Sequence, residues 1–281
     1  MKNKLRRRNM LAKAAVVISA AAIMASCKSD GAKEKKAPPV KDSVPTVLTP
    51  GSSIKLDPAK KYIYITWDDG PQPPGTINCE EIFREEGIKA TFFMVGLHQF
   101  SASRARIVDT IRNSYPQFLL ANHSHSHGFR DHYREFYANP DSAMQDIYLA
   151  EKELKVPVKI VRLPGMNSWV ENGKIQGPKS SLEVCKRLGS AGYNAVGWDL
   201  EWRFGRHSVP VQGAEQMARE VDEKFANGTT YANNAVVILA HDRMFKGQYK
   251  DSLSKFIKIL KQNPAYVFET IDHYPLIQKG K

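Results

Sequence analysis

From about residue 60 onward, short apolar runs alternate with stretches whose apolar residues recur every three to four positions. The runs Tyr62–Ile65, Ala90–Val95, Phe118–Leu120, Val158–Val161, Ala195–Trp198, Val236–Leu239 and Tyr266–Phe268 predict strands. Between them, the helical period covers Ile77–Glu86, Ser103–Asn113, Asp141–Leu154, Ser180–Leu188, Gly213–Phe225 and Asp251–Lys261, several ending near Gly or Pro. A period that keeps switching in this way belongs to βαβ units around a parallel sheet. About seven β/α units fit either a barrel or an open doubly wound sheet.

In such architectures reacting groups gather where the strands end. Five of the seven runs end in chemically loaded residues: Asp68–Asp69, His123-Ser-His-Ser-His127, Arg162, the segment Asp199 to Trp202, and His241–Asp242. Five separate runs delivering acids and imidazoles to one face point to an active site. Thr66-Trp67-Asp68-Asp69-Gly70-Pro71 sets two carboxylates at a strand end stopped by Gly-Pro. Adjacent residues on extended backbone point in opposite directions, so the two acids are expected to do different jobs; the plainer alternative is turn chemistry, which also favours Asp-Gly-Pro. His123 and His127 are four apart, a spacing that a helical turn or a bent loop turns toward one ion, with His125 between them. With an Asp from a neighbouring strand, two His and one carboxylate make a metal site with open positions, whereas a lone His in a Ser-rich loop would be ordinary surface.

These segments resemble, in order, the motifs of the polysaccharide deacetylase (NodB-homology, family 4 carbohydrate esterase) family. TWDDGP is similar to its T-F-D-D-G-P, HSHSH to H-S/T-x-x-H, RLPG to R-x-P, DLEW to D-x-x-D-W, and LAH to L-x-H, across roughly residues 60 to 245. The resemblance implies a deformed (β/α) barrel and a metal-dependent hydrolase acting on an acetylated polysaccharide. It implies that Asp69, His123 and His127 hold one divalent ion, zinc first, with cobalt, nickel or iron as alternatives. Asp68 would be the general base, Arg162 its orienting cation, and His241 the general acid. Leu239 and Trp202 would wall a pocket for the acetyl methyl, and a backbone N–H near Gly165 would face the oxyanion. Two departures stand out. Gly165 follows Pro164 where the family often has Tyr, which is expected to open the site. The fourth motif, Asp199-Leu200-Glu201-Trp202, is one residue short, so either Asp199 or Glu201 could tune His241. Asp242 reads as a structural hydrogen-bonder, Phe92–Phe93 as core, and Trp169 as either a sugar-stacking ring or loop packing.

Three functions follow. The leading one is removal of N-acetyl groups from an amino-sugar polymer such as peptidoglycan or a chitin-like chain. An O-acetyl esterase acting on glycans such as xylan is the alternative. A non-catalytic glycan-binding lipoprotein is disfavoured because Asp68, Asp69, His123, His127 and His241 are all intact.

Charge and the first residues add location. The 281-residue chain has a formal net charge of +12, but residues 1–50 hold eleven Lys and Arg against Asp30, Glu34 and Asp42, a net of +8. The remaining +4, with no basic stripe interleaved with aromatics, gives no support for nucleic acid. The basic MKNKLRRRNM followed by a short apolar, small-residue stretch reads as a signal peptide over residues 1–26. Met24-Ala25-Ser26-Cys27 resembles a lipobox, so Cys27 is expected to be lipidated, against ordinary cleavage with Cys27 incidental. Residues 27–54, polar and rich in Lys, Pro and Gly, read as a flexible tether, and 55–281 as the catalytic domain. The protein is therefore expected in a bacterial envelope, membrane-anchored, facing periplasm or exterior, with no protein partner evident. Cys79 and Cys185, both in helical stretches outside any metal pattern, read as buried small hydrophobes rather than a disulfide. If Cys27 carries the anchor, Cys27→Ser should move the protein out of the membrane fraction on cell fractionation with its specific activity unchanged.

Overall fold

The computed structural model describes residues 48–278, so the leader, Cys27 and most of the expected tether lie outside the described residues. Ten strands among the described residues form one sheet. In chain order they are β1 (Lys61–Gly70), β2 (Ala90–Met94), β3 (Phe118–Asn122), β4 (Ile160–Val161), β5 (Trp169–Glu171), β6 (Lys174–Gln176), β7 (Asn194–Ala195), β8 (Leu200–Glu201), β9 (Ala235–His241) and β10 (Tyr266–Phe268). Their spatial order is β6-β5-β7-β4-β3-β2-β1-β9-β8, with β10 beside the first residues of β1. The path from β4 through β1 to β8 is parallel, as are β7 on β4 and β10 on β1; only β5 runs against its neighbours β6 and β7. Among the described residues this path has two ends, which fits the expected deformed barrel better than a closed one.

The helices are α1 (Gly75–Glu86), α2 (Ala102–Arg112), α3 (His127–Asp131, a turn of unusual hand), α4 (Tyr133–Ala138), α5 (Pro140–Leu154), α6 (Leu182–Ser190), α7 (Ala214–Asn227), α8 (Lys250–Lys261) and α9 (Pro275–Gln278). All six predicted helices are present within a few residues of their expected bounds. In α8, Leu253, Phe256, Ile257 and Leu260 recur at helical spacing and are all buried, while the intervening lysines face water. None of the described helices is long and apolar enough to cross a membrane.

Alternation along β1 divides the interior. Ile63, Ile65 and Trp67 join the side chains of α1, α7 and α8 in one core. Tyr62 and Tyr64 point to the other face, which is filled by Phe93, Leu119, Val196, Trp169 and, from the chain's end, Ile271, Tyr274 and Ile277. Trp169 is 4% exposed and stacks on Tyr231 at 4.2 Å between ring centroids, so of its two readings the packing one is correct. Cys79 and Cys185 are buried and free, in separate cores.

Two segments depart from expectation. The strand expected over Ala195–Trp198 is reduced to β7, Asn194–Ala195, because the chain then turns out to form the short β8. The stretch after Arg162, for which no strand is predicted, holds the β5–β6 hairpin, turned at Asn172 (φ 47°) and Gly173 (φ 79°). Asn-Gly with both residues at positive φ is the preferred two-residue hairpin turn, so this element was open to prediction. The last residues assigned to the tether are also fixed: the Gly51 N–H donates to Asp272 Oδ2 and the Ile54 N–H to Gln278 Oε1.

Candidate active site

Strand register assembles the site. β1 and β9 run parallel with Asp68 opposite His241, β3 ends at Asn122 beside Val161 of β4, and His123 and Arg162 follow immediately. Asp68, Asp69, His123, His127, Gly165, Glu201, Leu239 and His241 all line one cavity of about 910 Å³.

The two acids do not point in opposite directions as a regular strand would require. The pairing of β1 with β2 slips between Asp68 and Gly70, and Asp69 takes φ 71°. This bulge breaks the alternation, so both carboxylates reach the same cavity. Asp68 Oδ1 accepts from Arg162 Nη1 at 2.8 Å. Arg162 is wholly buried, and its other donors go to Thr66 Oγ1 (2.6 Å), the Val196 carbonyl (3.1 Å) and the Gly197 carbonyl (2.9 Å), while Phe93 lies under the guanidinium at 4.4 Å. Burial pushes the Arg162 pKa down, and the Asp68 carboxylate opposes that shift.

Asp69, His123 and His127 each offer a ligand atom, and these atoms lie within 4.8 Å of one another. Both imidazoles are held from behind. His123 Nδ1 lies 2.9 Å from the Arg162 carbonyl, which can only accept, so the proton is on Nδ1 and the Nε2 lone pair is left for the site. His127 Nδ1 lies 2.6 Å from Asp131 Oδ1, with the same consequence. Asp69 Oδ1 stands 3.0 Å from His127 Nε2 and 3.5 Å from His123 Nε2, yet is buried with no aligned hydrogen-bond partner among the described residues. Two imidazole lone pairs and an unpaired carboxylate oxygen facing one point are the donor set of a divalent transition metal. Without an ion only a proton can fill that role. Burial disfavours the His127 cation, but Asp69 and Asp131 outweigh it and raise the His127 pKa; burial likewise opposes the Asp69 anion, but His123 and His127 hold its pKa well below the usual range.

The loop carrying these ligands is braced. Asn122 Oδ1 accepts from the Ser124 N–H at 2.8 Å, and Asp146 Oδ2 accepts from the N–H groups of His125 and Ser126 at 3.0 and 3.1 Å. His125 itself turns outward, with Nδ1 2.9 Å from Glu153, and belongs to no ligand set. On the other side of the cavity His241 Nε2 is 3.8 Å from Asp69 Oδ2, Phe204 packs edge-on against its ring at 4.8 Å, and its Nδ1 is buried with no hydrogen-bond partner among the described residues. Burial lowers the His241 pKa, against the pull of Asp69 and Asp68.

Three site expectations need correction. Asp199 does not reach His241: its two oxygens accept from the N–H groups of Tyr231 (2.6 Å) and Val237 (2.8 Å), which ties β9 to the preceding loop. Glu201 does line the cavity, without a hydrogen bond to His241 among the described residues. Trp202 walls nothing. It is fully buried against Phe245 and Phe256, with its indole N–H donated to the Gln212 carbonyl, because the residue that follows Glu201 faces the helices. The aromatic residues lining the cavity are Trp198 and Phe204 instead, and Leu239 lines it as well. Gly165 does not leave open space: a Cβ there would meet the Tyr133 ring at 3.0 Å.

Residues that sequence reasoning passed over are Asp131, Tyr133 and Arg243, whose Nη2 is 3.0 Å from Asp69 Oδ2. An acid four residues after a candidate His ligand was the available signal for Asp131. Asp242 is structural, as read: it is fully buried and accepts from Thr76 Oγ1. Burial raises its pKa to about 7.

The description polysaccharide deacetylase belongs to the family model that matches residues 55–168, a span holding Asp68, Asp69, His123, His127 and Arg162 but not His241. A chitin disaccharide deacetylase of Vibrio alginolyticus is 23% identical over 76% of this chain and 71% of its own. A peptidoglycan-N-acetylglucosamine deacetylase of Bacillus cereus is 26% identical over 75% of this chain and 87% of its own. Among solved structures, a family 4 acetyl xylan esterase from Clostridium thermocellum in complex with a cobalt ion shares the fold, with a TM-score of 0.51 and 23% identity over 75% of this chain and 88% of that one.

The shift at Asp242 has a measurable consequence. Its carboxyl binds a proton more tightly folded than unfolded, where the pKa is about 4, so it contributes stability at low pH that is lost as pH rises through about 7. Asp242→Asn should remove that loss, narrowing the drop in urea-unfolding free energy between pH 5 and pH 8 by roughly 1–3 kcal/mol.

Proposed function

We propose that this chain, whose residues 55–168 match the polysaccharide deacetylase family model, is a metal-dependent hydrolase that removes N-acetyl groups from an amino-sugar polysaccharide of the peptidoglycan or chitin type. The observation that carries this reading is the convergence of three ligand atoms within 4.8 Å of one another, beside the Asp68–Arg162 pair, at the floor of a cavity of about 910 Å³. Asp69, His123 and His127 would hold the ion, zinc first; the Clostridium thermocellum esterase was solved in complex with a cobalt ion. Held there, a divalent ion would supply polarisation of the acetyl carbonyl and a more acidic water.

The remaining work falls to the protein. Arg162 fixes Asp68 through one oxygen so that the other can take a proton from the attacking water. The Gly165 amide is offered to the developing oxyanion. His241, whose Cα lies opposite Asp68, protonates the departing nitrogen. Leu239, Trp198 and Phe204 exclude water around the acetyl group. In the cell, lipidation at Cys27 would keep the domain at the envelope, next to its polymeric substrate.

Metal content measured by atomic emission separates these roles. Asp69→Asn and His127→Ala should lose bound ion and activity together, whereas Asp68→Asn should keep the ion and lose turnover by about 10²–10⁴-fold. Wild-type stoichiometry in the first two would refute the ligand set.

A second reading, removal of O-acetyl groups, is favoured by the resemblance to an acetyl xylan esterase. The leaving group decides between them. An amine must be protonated before it departs, and an alkoxide needs less help. His241→Ala should therefore lose ~10²–10⁴-fold on an N-acetyl oligosaccharide and far less on an activated acetyl ester, with metal content unchanged. Acetate release by the wild type from esters alone would hand the function to the second reading.

A further inference from the structure

The chain after His127 is strained in a particular way. His127, Gly128, Phe129, Arg130 and Asp131 all have positive φ, between 54° and 70°, so α3 is a left-handed helical turn. Left-handed backbone is unfavourable for L-residues, so the turn persists only because its surroundings hold it. Its geometric effect is to bring Asp131, four residues on, back to the ring of His127, where Oδ1 accepts from Nδ1 at 2.6 Å.

A carboxylate behind a metal-binding imidazole fixes the ring and raises its basicity. Asp131 alone is poorly suited to that task, because its side chain is 70% exposed and free to swing into water. A second donor restrains it. Tyr133 Oη donates to the same Oδ1 at 2.9 Å, and the Tyr133 ring stands edge-on to His127 at 5.8 Å. The ring is seated between two glycines: a Cβ at Gly128 would lie 2.8 Å from it and a Cβ at Gly165 3.0 Å, and both glycines have positive φ. The Gly128 carrier is on the left-handed turn itself, and Gly165 follows Pro164 on the loop after Arg162.

We propose that Tyr133 is a positioning residue for the metal site, holding the exposed Asp131 carboxylate on His127 so that Nε2 faces Asp69 and His123. The ring takes the room left by Gly128 and Gly165, which locks the phenol in place, and the hydroxyl does the orienting. The inference rests on the metal-site reading above, and the two can fail separately.

The test is the affinity of the apoprotein for Co²⁺ and Zn²⁺, measured by calorimetry and by the visible cobalt spectrum, in wild type, Tyr133→Phe, Asp131→Asn and the double variant. Removal of partners behind a metal ligand costs about 10–100-fold in affinity, so Tyr133→Phe should weaken binding by about 10-fold and Asp131→Asn by at least as much. The double variant should be no weaker than Asp131→Asn alone, because the phenol acts only through that carboxylate. Tyr133→Phe keeps the ring in its slot, and an unchanged thermal melt of the apoprotein would exclude general unfolding as the cause. Tight binding by the wild type with equal affinity in Tyr133→Phe, or additive losses in the double variant, would overturn the proposal. Absence of binding by the wild type would overturn the metal-site reading itself.

Discussion

The site depends on one buried cation. Arg162 is wholly removed from water, and a guanidinium in that position is tolerated only if its donors are matched. Its matches come from β1 through Thr66 and Asp68, and from the chain leaving β7 through the carbonyls of Val196 and Gly197. Its own carbonyl, meanwhile, sets the tautomer of His123. One residue therefore couples the proposed base to a proposed metal ligand and stitches together strands far apart in the sheet order. Removing its side chain would leave the Asp68 carboxylate buried without its cation, a change that harms the fold and the chemistry at once.

The parallel sheet supplies the other half of the design. Because β1, β3, β4 and β9 run the same way, their ends lie at one rim, and residues spread over positions 68 to 241 become neighbours. Regular pleating would still have separated Asp68 from Asp69. The slip in register before Gly70 cancels that separation, an instance of irregular backbone placed where a site needs two adjacent side chains on one side.

Much of this was legible in the sequence. The β/α alternation, the six main helices and the strand-end clusters of Asp, His and Arg follow from periodicity, because burial on one face of each element leaves a mark that a single chain retains. What escaped depends on contacts between distant segments. Whether Trp202 or Trp198 faces the cavity is decided by how two residues of β8 register on β9, which no local pattern encodes. Asp199 looked catalytic from its place after a strand, and only the positions of the Tyr231 and Val237 amides reveal it as a strut. The gap left at Gly165 looked empty because the ring that fills it comes from Tyr133, thirty-two residues earlier. The hairpin at Asn172–Gly173 is a different case, since its turn chemistry was visible and short strands were simply masked by the surrounding polar residues.

The bonds from Gly51 to Asp272 and from Ile54 to Gln278 hold the two ends of the described chain side by side. None of the residues lining the cavity comes from either segment. A fold closed in this manner has, in effect, no preferred beginning. A short linker between residues 278 and 51 would let the backbone be opened at the exposed Asn172–Gly173 tip instead, giving a circular permutant in which the order of the segments changes while the rim of the sheet, and every group proposed to act there, keeps its neighbours.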